Sequence, residues 1–296
     1  MDKSVKLPND VKWATRQRLQ FIEVMAYYTG LISRSSLARA FGISDPAATK
    51  DLKLYNDLAA DNLRYEPSVF GFVPADTFQP LFADLSPQTV LAMIADNLIV
   101  VGNPSPDESV YGVNIERLPL PSRLPDKRVL AQIIRAIKNR SQLKVVYHSL
   151  SNSDRNESRI IEPHALGNNG LRWHVRAYSH DTFDFRDFVL SRIDQAQMLT
   201  EAAESSPNYD DDWAEIISVR LKPHPGLSEK NRLTLSYDYK MQDGVIELEV
   251  RRALVGYLLQ RLGVDTTADH SLNPNAYQLV VDNRDEIEPF AGWAFL

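Results

Sequence analysis

Two stretches of this chain cannot sit inside a hydrophobic core, and they cut it into three blocks. Residues 102–125 (GNPSPDESVYGVNIERLPLPSRLP) contain five prolines and no helical spacing of apolar residues. Residues 201–212 (EAAESSPNYDDD) are polar and acidic. Proline fixes φ and removes a backbone donor, so such segments read as surface connections. Each remaining block must then bury an apolar face of its own. The 296 residues, 44% of them apolar, supply enough core for two or three domains. The predicted boundaries are 1–83, a helical and proline-rich linker at 84–125, 126–203 and 204–296.

The chain has no cysteine, which excludes disulfides, thiolate metal sites and a cysteine nucleophile. The opening MDKSVKLPNDVKW has no apolar h-region. The longest apolar stretch, near residues 90–101, is broken by Asp96 and Asn97 and is too short for a bilayer. A soluble, cytoplasmic protein without membrane contact is expected. The formal net charge of −6 argues against nucleic acid as a partner, but the charge is unevenly spread. Residues 1–82 carry net +1 and 126–200 net +4, whereas 201–296 carry net −8. Whole-chain charge is therefore a poor guide to what each block touches.

Within the first block, residues 13–28 place Leu19, Phe21, Ile22, Val24, Met25 and Tyr28 at helical spacing, and Gly30 ends the run. Ser33 suits the N-cap of a short helix at 34–40, followed by Phe41-Gly42-Ile43-Ser44 as a tight turn. Ser44 or Asp45 then caps a helix running to about residue 60, with Pro46 tolerated in its first turn. Short apolar runs at 63–65 and 70–73 flank Glu66-Pro67-Ser68 and suggest a hairpin. Helix, short helix, glycine turn, longer helix and hairpin is the order of a winged helix-turn-helix.

A helix that reads DNA needs hydrogen-bonding and basic side chains on its outer face. Thr49, Lys50 and Lys53 fill that role, with Ala47 small enough for close approach. Ser33, Arg34, Ser35 and Ser36 offer hydroxyls, a guanidinium and helix N-terminal N–H groups to a phosphate. Arg64 and Tyr65 lie in the wing, and Asp45, Asp51 and Asp57 oppose the assignment unless they face away. The same pattern also suits a three-helix module that makes only protein contacts.

A helix is predicted at 86–100 and another at 126–140, after which β-formers dominate at 143–148, 157–161, 171–178 and 185–193. Four or five short strands in so few residues suggest a small barrel or a strongly bent sheet. Alternation puts Arg172, His174, Arg176 and Tyr178 on one face and Trp173, Val175 and Ala177 on the other. Tyr147 and Ser149 share a face of their strand, Arg159 opens the next, and Arg186 and Arg192 share parity on the last. Convergent guanidinium groups suit a phosphate or a nucleic-acid backbone, with aromatics to stack a base. A solvated basic face paired to Asp184, Asp187 and Glu162 fits the same residues. The last block mixes strands at 216–221, 245–250 and 277–281 with helices at 228–237 and 252–262, a small α+β domain. Its ending, FAGWAFL, is apolar enough to be expected in a core or a subunit contact.

These frames resemble the WYL-domain transcriptional regulators. The frames are VVYHS at 145–149, SRIIEPH at 158–164, GLRWHVRAY at 170–178 and RDFVLSRI at 186–193. Of the name-giving tripeptide, Trp173-His174-Val175 keeps the Trp. The N-terminal segment RLQFIEVMAYYTGLISRSSLARAFGIS and the acidic C-terminal extension resemble the subgroup that represses phage-defence islands. The resemblance implies an α+β multidomain fold: a winged helix-turn-helix, an Sm-like β-barrel WYL domain and a C-terminal dimerisation domain. It implies a homodimeric repressor of its own defence operon, acting on an inverted-repeat operator in double-stranded DNA. It also implies a pocket for a nucleotide or oligonucleotide, with Tyr147, Ser149, Arg159, His164, Trp173, His174, Arg176, Arg186 and Arg192 in the family's pocket positions. The alternative is an RNA- or single-strand-binding module built on the basic sheet, with the helix-turn-helix used for protein contacts. No phosphate loop, Gly-x-Ser-x-Gly elbow or His-x-x-x-His spacing points to an enzyme, a metal or a cofactor.

Overall fold

The apolar run at 13–28 forms α1 (Trp13–Val24), which widens into a π turn at Met25–Thr29 before Gly30 closes it at φ +76°. Only glycine adopts that left-handed conformation at little cost. α2 (Arg34–Phe41) and α3 (Asp45–Leu58) follow, separated by Gly42 at φ +61°. Leu19, Phe21, Ile22, Leu37, Ala48, Leu52 and Tyr55 meet in one buried core. β1 (Leu63–Glu66) and β2 (Gly71–Pro74) form an antiparallel hairpin. Ile32 and Phe72 exchange backbone hydrogen bonds at 2.9 and 2.8 Å, which fastens the hairpin to the segment before α2. α4 (Pro87–Asp96) packs Val90, Met93 and Ile94 on the same core. This computed structural model describes residues 11–96, 111–116, 118–150 and 158–296. The predicted helical end at 97–100, residues 102–110 and 117 of the proline-rich stretch and the strand start at Glu157 lie outside them.

Contacts divide the chain into two units, Met1–Pro119 and Leu120–Leu296. The second opens with α5 (Lys127–Asn139), capped by the Asp126 carboxylate. Five antiparallel strands follow: β3 (Ser141–Tyr147), β4 (Ser158–Asn168), β5 (Trp173–Ser179), β6 (Asp184–Val189) and β7 (Ile193–Ala202). Their order is β6-β5-β4-β3-β7. α5 buries Val129, Ile133 and Ala136 against Leu143, Val145, Ile161, Val175, Ala177 and Phe188. Among the described residues β6 and β7 do not pair, so the sheet has two edges where a closed barrel is expected. The predicted strand at 185–193 is in fact interrupted. A 3-10 turn at Leu190–Arg192 ends β6, and β7 runs to Ala202, two residues into the stretch expected to be loop.

The last part comprises α6 (Asp211–Ala214), β8 (Ile216–Pro223), α7 (Glu229–Asp238), β9 (Ile246–Arg251), α8 (Val255–Arg261), β10 (Val264–Asp265), β11 (Leu279–Val281) and α9 (Arg284–Ala291). The sheet order is β10-β11-β8-β9, with Val219, Leu221, Val255, Leu259 and Ile287 at its core. A buried His224–Asp265 pair at 3.1 Å fastens the turn after β8 to the end of β10. No helix among the described residues is long and apolar enough to cross a membrane.

Candidate functional site

The first unit brings six of the nine predicted DNA-facing residues, Ser36, Lys50 and Arg64 excepted, to one open cleft of about 510 Å³ between α2, α3 and the hairpin. Ser33, Arg34, Ser35, Thr49, Lys53 and Tyr65 line it. Ser33 caps α2: its Oγ accepts the Ser36 N–H at 3.0 Å, and the Ser36 Oγ accepts the Ser33 N–H at 3.0 Å. This reciprocal box pins the start of α2 and leaves the exposed Arg34 and Ser35 to meet an anion. Lys50 and Arg64 are exposed but do not line the cleft. Thr49 donates its hydroxyl to the Asp45 carbonyl at 2.9 Å.

The acidic residues that count against DNA separate by environment. Asp51 is buried and takes Nε–H of Arg18 at 2.6 Å, so it faces α1 and not a phosphate. Asp45 lies 3.4 Å from Arg34 with both side chains exposed, a pair that salt or a phosphate displaces easily. Asp57 stays exposed. Asn56 was not predicted, yet it lines the cleft with Thr49 and Lys53, and its Oδ1 is buried without a partner. The i, i+4, i+7 spacing of 49, 53 and 56 was the available signal.

Glu23 is a second residue that the pattern hides. It is fully buried, and its carboxylate accepts N–H groups of Leu81, Phe82 and Ala83 at 2.7–2.8 Å and the Tyr55 hydroxyl at 3.1 Å. One carboxylate thus ties the chain beyond the wing to α1 and to α3, the helix that carries Lys50 and Lys53.

In the second unit, the nine predicted pocket residues are distributed over both faces of the sheet. Directly paired residues of antiparallel strands point the same way. Val145 pairs with Arg159 and Ala177 with Arg186, so both arginines share the α5 face with Tyr147. The Arg159 guanidinium lies 5.7 Å from the Tyr147 ring centre, and Tyr147 accepts the Val189 N–H at 3.2 Å. Arg176 pairs with Asp187 and occupies the opposite face with His174. The predicted single face holding both Arg176 and Arg186 is therefore not formed. Arg192 sits in the 3-10 turn after β6, off the strand on which it was expected to share parity with Arg186. Trp173 is 39% exposed at the start of β5. Ser149 is half-buried just past β3.

The face carrying Arg176 is not a solvated cationic surface. Arg176 is buried, and its Nε–H and Nη2–H donate to the two Asp210 oxygens, both at 2.8 Å. His164 adds a contact to Asp210 at 2.9 Å. Asp187 lies 3.6 Å and Asp212 3.5 Å from the same guanidinium. Tyr257 donates to Asp187 at 3.2 Å, and Arg252 holds Asp212 at 2.6 Å. His174 stacks on Tyr257 with ring centres 4.7 Å apart and accepts Nε–H of Arg172 at 3.1 Å. Burial, reinforced by Arg172, Arg192 and Arg123, pushes its pKa down to about 4. These residues clasp the five-stranded sheet to the segment that leads into the last part. The acidic surplus of residues 201–296 thus supplies the partners of the basic strand.

Comparison with known proteins follows this division. Residues 14–96 match the BrxR transcriptional regulator winged helix-turn-helix domain. Residues 128–198 match the WYL domain and 216–287 the BrxR C-terminal dimerization domain. A protein of Stenotrophomonas maltophilia named DNA-binding transcriptional repressor CapW is 35% identical over 280 residues, 94% of this chain and 92% of its own. Proteins of the same name from Escherichia coli (strain KTE188) and Pseudomonas aeruginosa are 38% and 34% identical over 282 residues. These cover 93% and 94% of this chain, and 91% and 92% of theirs. The chain therefore belongs to the family of BrxR- and CapW-type transcriptional regulators.

Proposed function

We propose that the protein is a homodimeric, sequence-specific DNA-binding repressor that controls its own phage-defence operon in the cytoplasm and carries out no catalysis. The observation that supports it most is the open cleft joining the capped start of α2, the Thr49–Lys53 face of α3 and the wing. Thr49, Lys50 and Lys53 read the major groove. Ser33, Arg34, Ser35 and Ser36 hold a phosphate through the α2 N-terminus, and Arg64 and Tyr65 reach the flanking backbone. A two-fold dimer places two such helices about 34 Å apart, so the operator is an inverted repeat. The domain limits are taken as 1–83, 84–125, 126–203 and 204–296, with the middle sheet curved in the Sm-like manner.

We infer further that the WYL sheet senses an anionic ligand, a nucleotide or oligonucleotide. Tyr147, Ser149, Arg159, Trp173, Arg186 and Arg192 would meet it, while His164, His174 and Arg176 relay its presence through Asp210 and Tyr257. A ligand shifts the dimer only if it binds one geometry better than the other.

A gel shift with the DNA upstream of the protein's own gene tests the repressor assignment. The wild type should retard an inverted-repeat duplex, and Lys50→Ala should weaken binding; Arg34→Ala, which removes one phosphate contact from each of the two protomers, should lower the slope of log Kobs against log[salt] by about 1.8. Equal affinity for scrambled duplex, unchanged by Lys50→Ala, would refute it. Arg186→Ala, at an exposed position of the sheet, separates the two nucleic-acid readings. If the sheet were the main nucleic-acid surface, that change would abolish retention of RNA or single-stranded DNA while Lys50→Ala left it intact.

A further inference from the structure

The wing tip has a composition unlike that of a surface made to hold phosphates. Residues 65–72 (YEPSVFGF) contain no lysine or arginine. Their one charged group, Glu66, is occupied by the Ser68 N–H at 3.3 Å and the Ser68 hydroxyl at 2.8 Å. Phe70 is 81% exposed, and Val69 and Tyr65 are also exposed. Phe70 stands at φ +51°, ψ 39°, a left-handed conformation that bulky side chains rarely adopt.

The tip is nevertheless firmly directed. The Phe70 N–H bonds the Pro67 carbonyl at 3.3 Å, and the Tyr65 and Phe72 rings meet edge-on at 5.3 Å. A Cβ at Gly71 would meet Leu31 Cδ1 at 2.5 Å and the Ile32 carbonyl oxygen at 3.0 Å, so the hairpin backbone lies close against the segment before α2. The Ile32–Phe72 bridge then fixes the hairpin to the base of α2. A solvated ring, held in a strained backbone on a braced hairpin, lines the same cleft as Arg34, Thr49 and Lys53. Arg34 and the α2 N-terminus already answer a phosphate, so a tip without cations is suited to a different part of the duplex. Proteins that enter the minor groove insert apolar wedges against sugars and between base steps, and flexible pyrimidine–purine steps yield most easily.

We propose that Phe70 is such a wedge. It enters the minor groove beside the major-groove site, packs on deoxyribose and partly unstacks one step. It thereby adds affinity that salt does not weaken and favours a deformable flanking sequence. The proposal rests on the DNA-binding reading above.

The test uses the full-length protein and an operator duplex carrying 2-aminopurine at the flanking step, with binding followed by anisotropy at several salt concentrations. Phe70→Asn keeps a residue that tolerates the left-handed conformation but removes the ring. It should weaken binding at least tenfold with an unchanged salt slope, and the 2-aminopurine brightening seen with wild type should vanish. Phe70→Leu should keep most of the affinity. Arg64→Ala should instead lower the slope, as the loss of a phosphate contact does. Phe70→Asn binding within twofold of wild type overturns the wedge, as does a loss accompanied by a shallower slope. So does a changed oligomeric state in sedimentation, which would make Phe70 a protein contact. If Lys50→Ala weakens binding while Phe70→Asn does not, the wedge falls and the repressor reading stands. If the wild type ignores every duplex, both fall.

Discussion

His174 shows what a buried neutral side chain does to acid stability. Its pKa is held near 4, below the ordinary 6.5, by burial first and by three arginines second. Below about pH 6.5 the unfolded chain takes up a proton that the folded one refuses, so stability falls until about pH 4. At pH 5 the loss is about 2 kcal/mol. His174→Gln should flatten this window, read as the difference in Tm between pH 7.5 and pH 5. An equal drop in both proteins would remove His174 as the cause. Asp210 works in the opposite sense. Burial alone would raise its pKa, but Arg176, His164 and the Trp213 N–H outweigh that and hold it well below the carboxylate range. Its stabilisation is complete above about pH 4 and fades only in stronger acid. Arg176→Ala strands a buried carboxylate and should cost about 3–5 kcal/mol in denaturant unfolding. A cost near zero would mean that water replaces the guanidinium.

At the scale of elements, the capping box at the start of α2 carries stability and fixes the direction of the N–H groups to which the proposed function assigns a phosphate. Ser33→Ala removes the acceptor of the Ser36 N–H and should cost about 1 kcal/mol. The same change should weaken operator binding more than that loss alone predicts at saturating folded protein, because the first turn of α2 frays where a phosphate is to sit. Unfolding curves together with anisotropy on one sample separate the two effects. β5 teaches a complementary lesson. Its alternation was visible, but which way each face pointed depended on partners more than 30 residues away, at Asp210 and Tyr257.

For the molecule as a whole, α7 leaves Leu233 67% and Tyr237 87% exposed one turn apart within the segment that matches a dimerization domain. Leu233→Asp combined with Tyr237→Asp should shift sedimentation toward monomer and reduce operator affinity at least tenfold, since half of a two-fold site is lost with the partner. A dimer of unchanged stability would place the subunit contact elsewhere. The apolar ending, expected in a core or a subunit contact, is divided in the single chain. Trp293 packs on Tyr257 with ring centres 5.0 Å apart and closes over Gly256, while Phe290, Trp293 and Leu296 remain exposed.

Local order was legible along the chain because its causes are local. Helical spacing, Ser33, Gly42 and Pro46 specify α1 to α3, and β-branched alternation specifies the strands of the middle block, each within a few residues of its signal. Resemblance in the frames around Tyr147 and Trp173 supplied the family. Long-range pairing decided the rest. Sheet register separated Arg176 from Arg186, a turn at Leu190–Arg192 split one predicted strand into two, and buried carboxylates at Glu23 and Asp210 chose partners from distant segments. A buried charge must find its counterpart wherever the fold delivers one, and no spacing along the chain records that meeting.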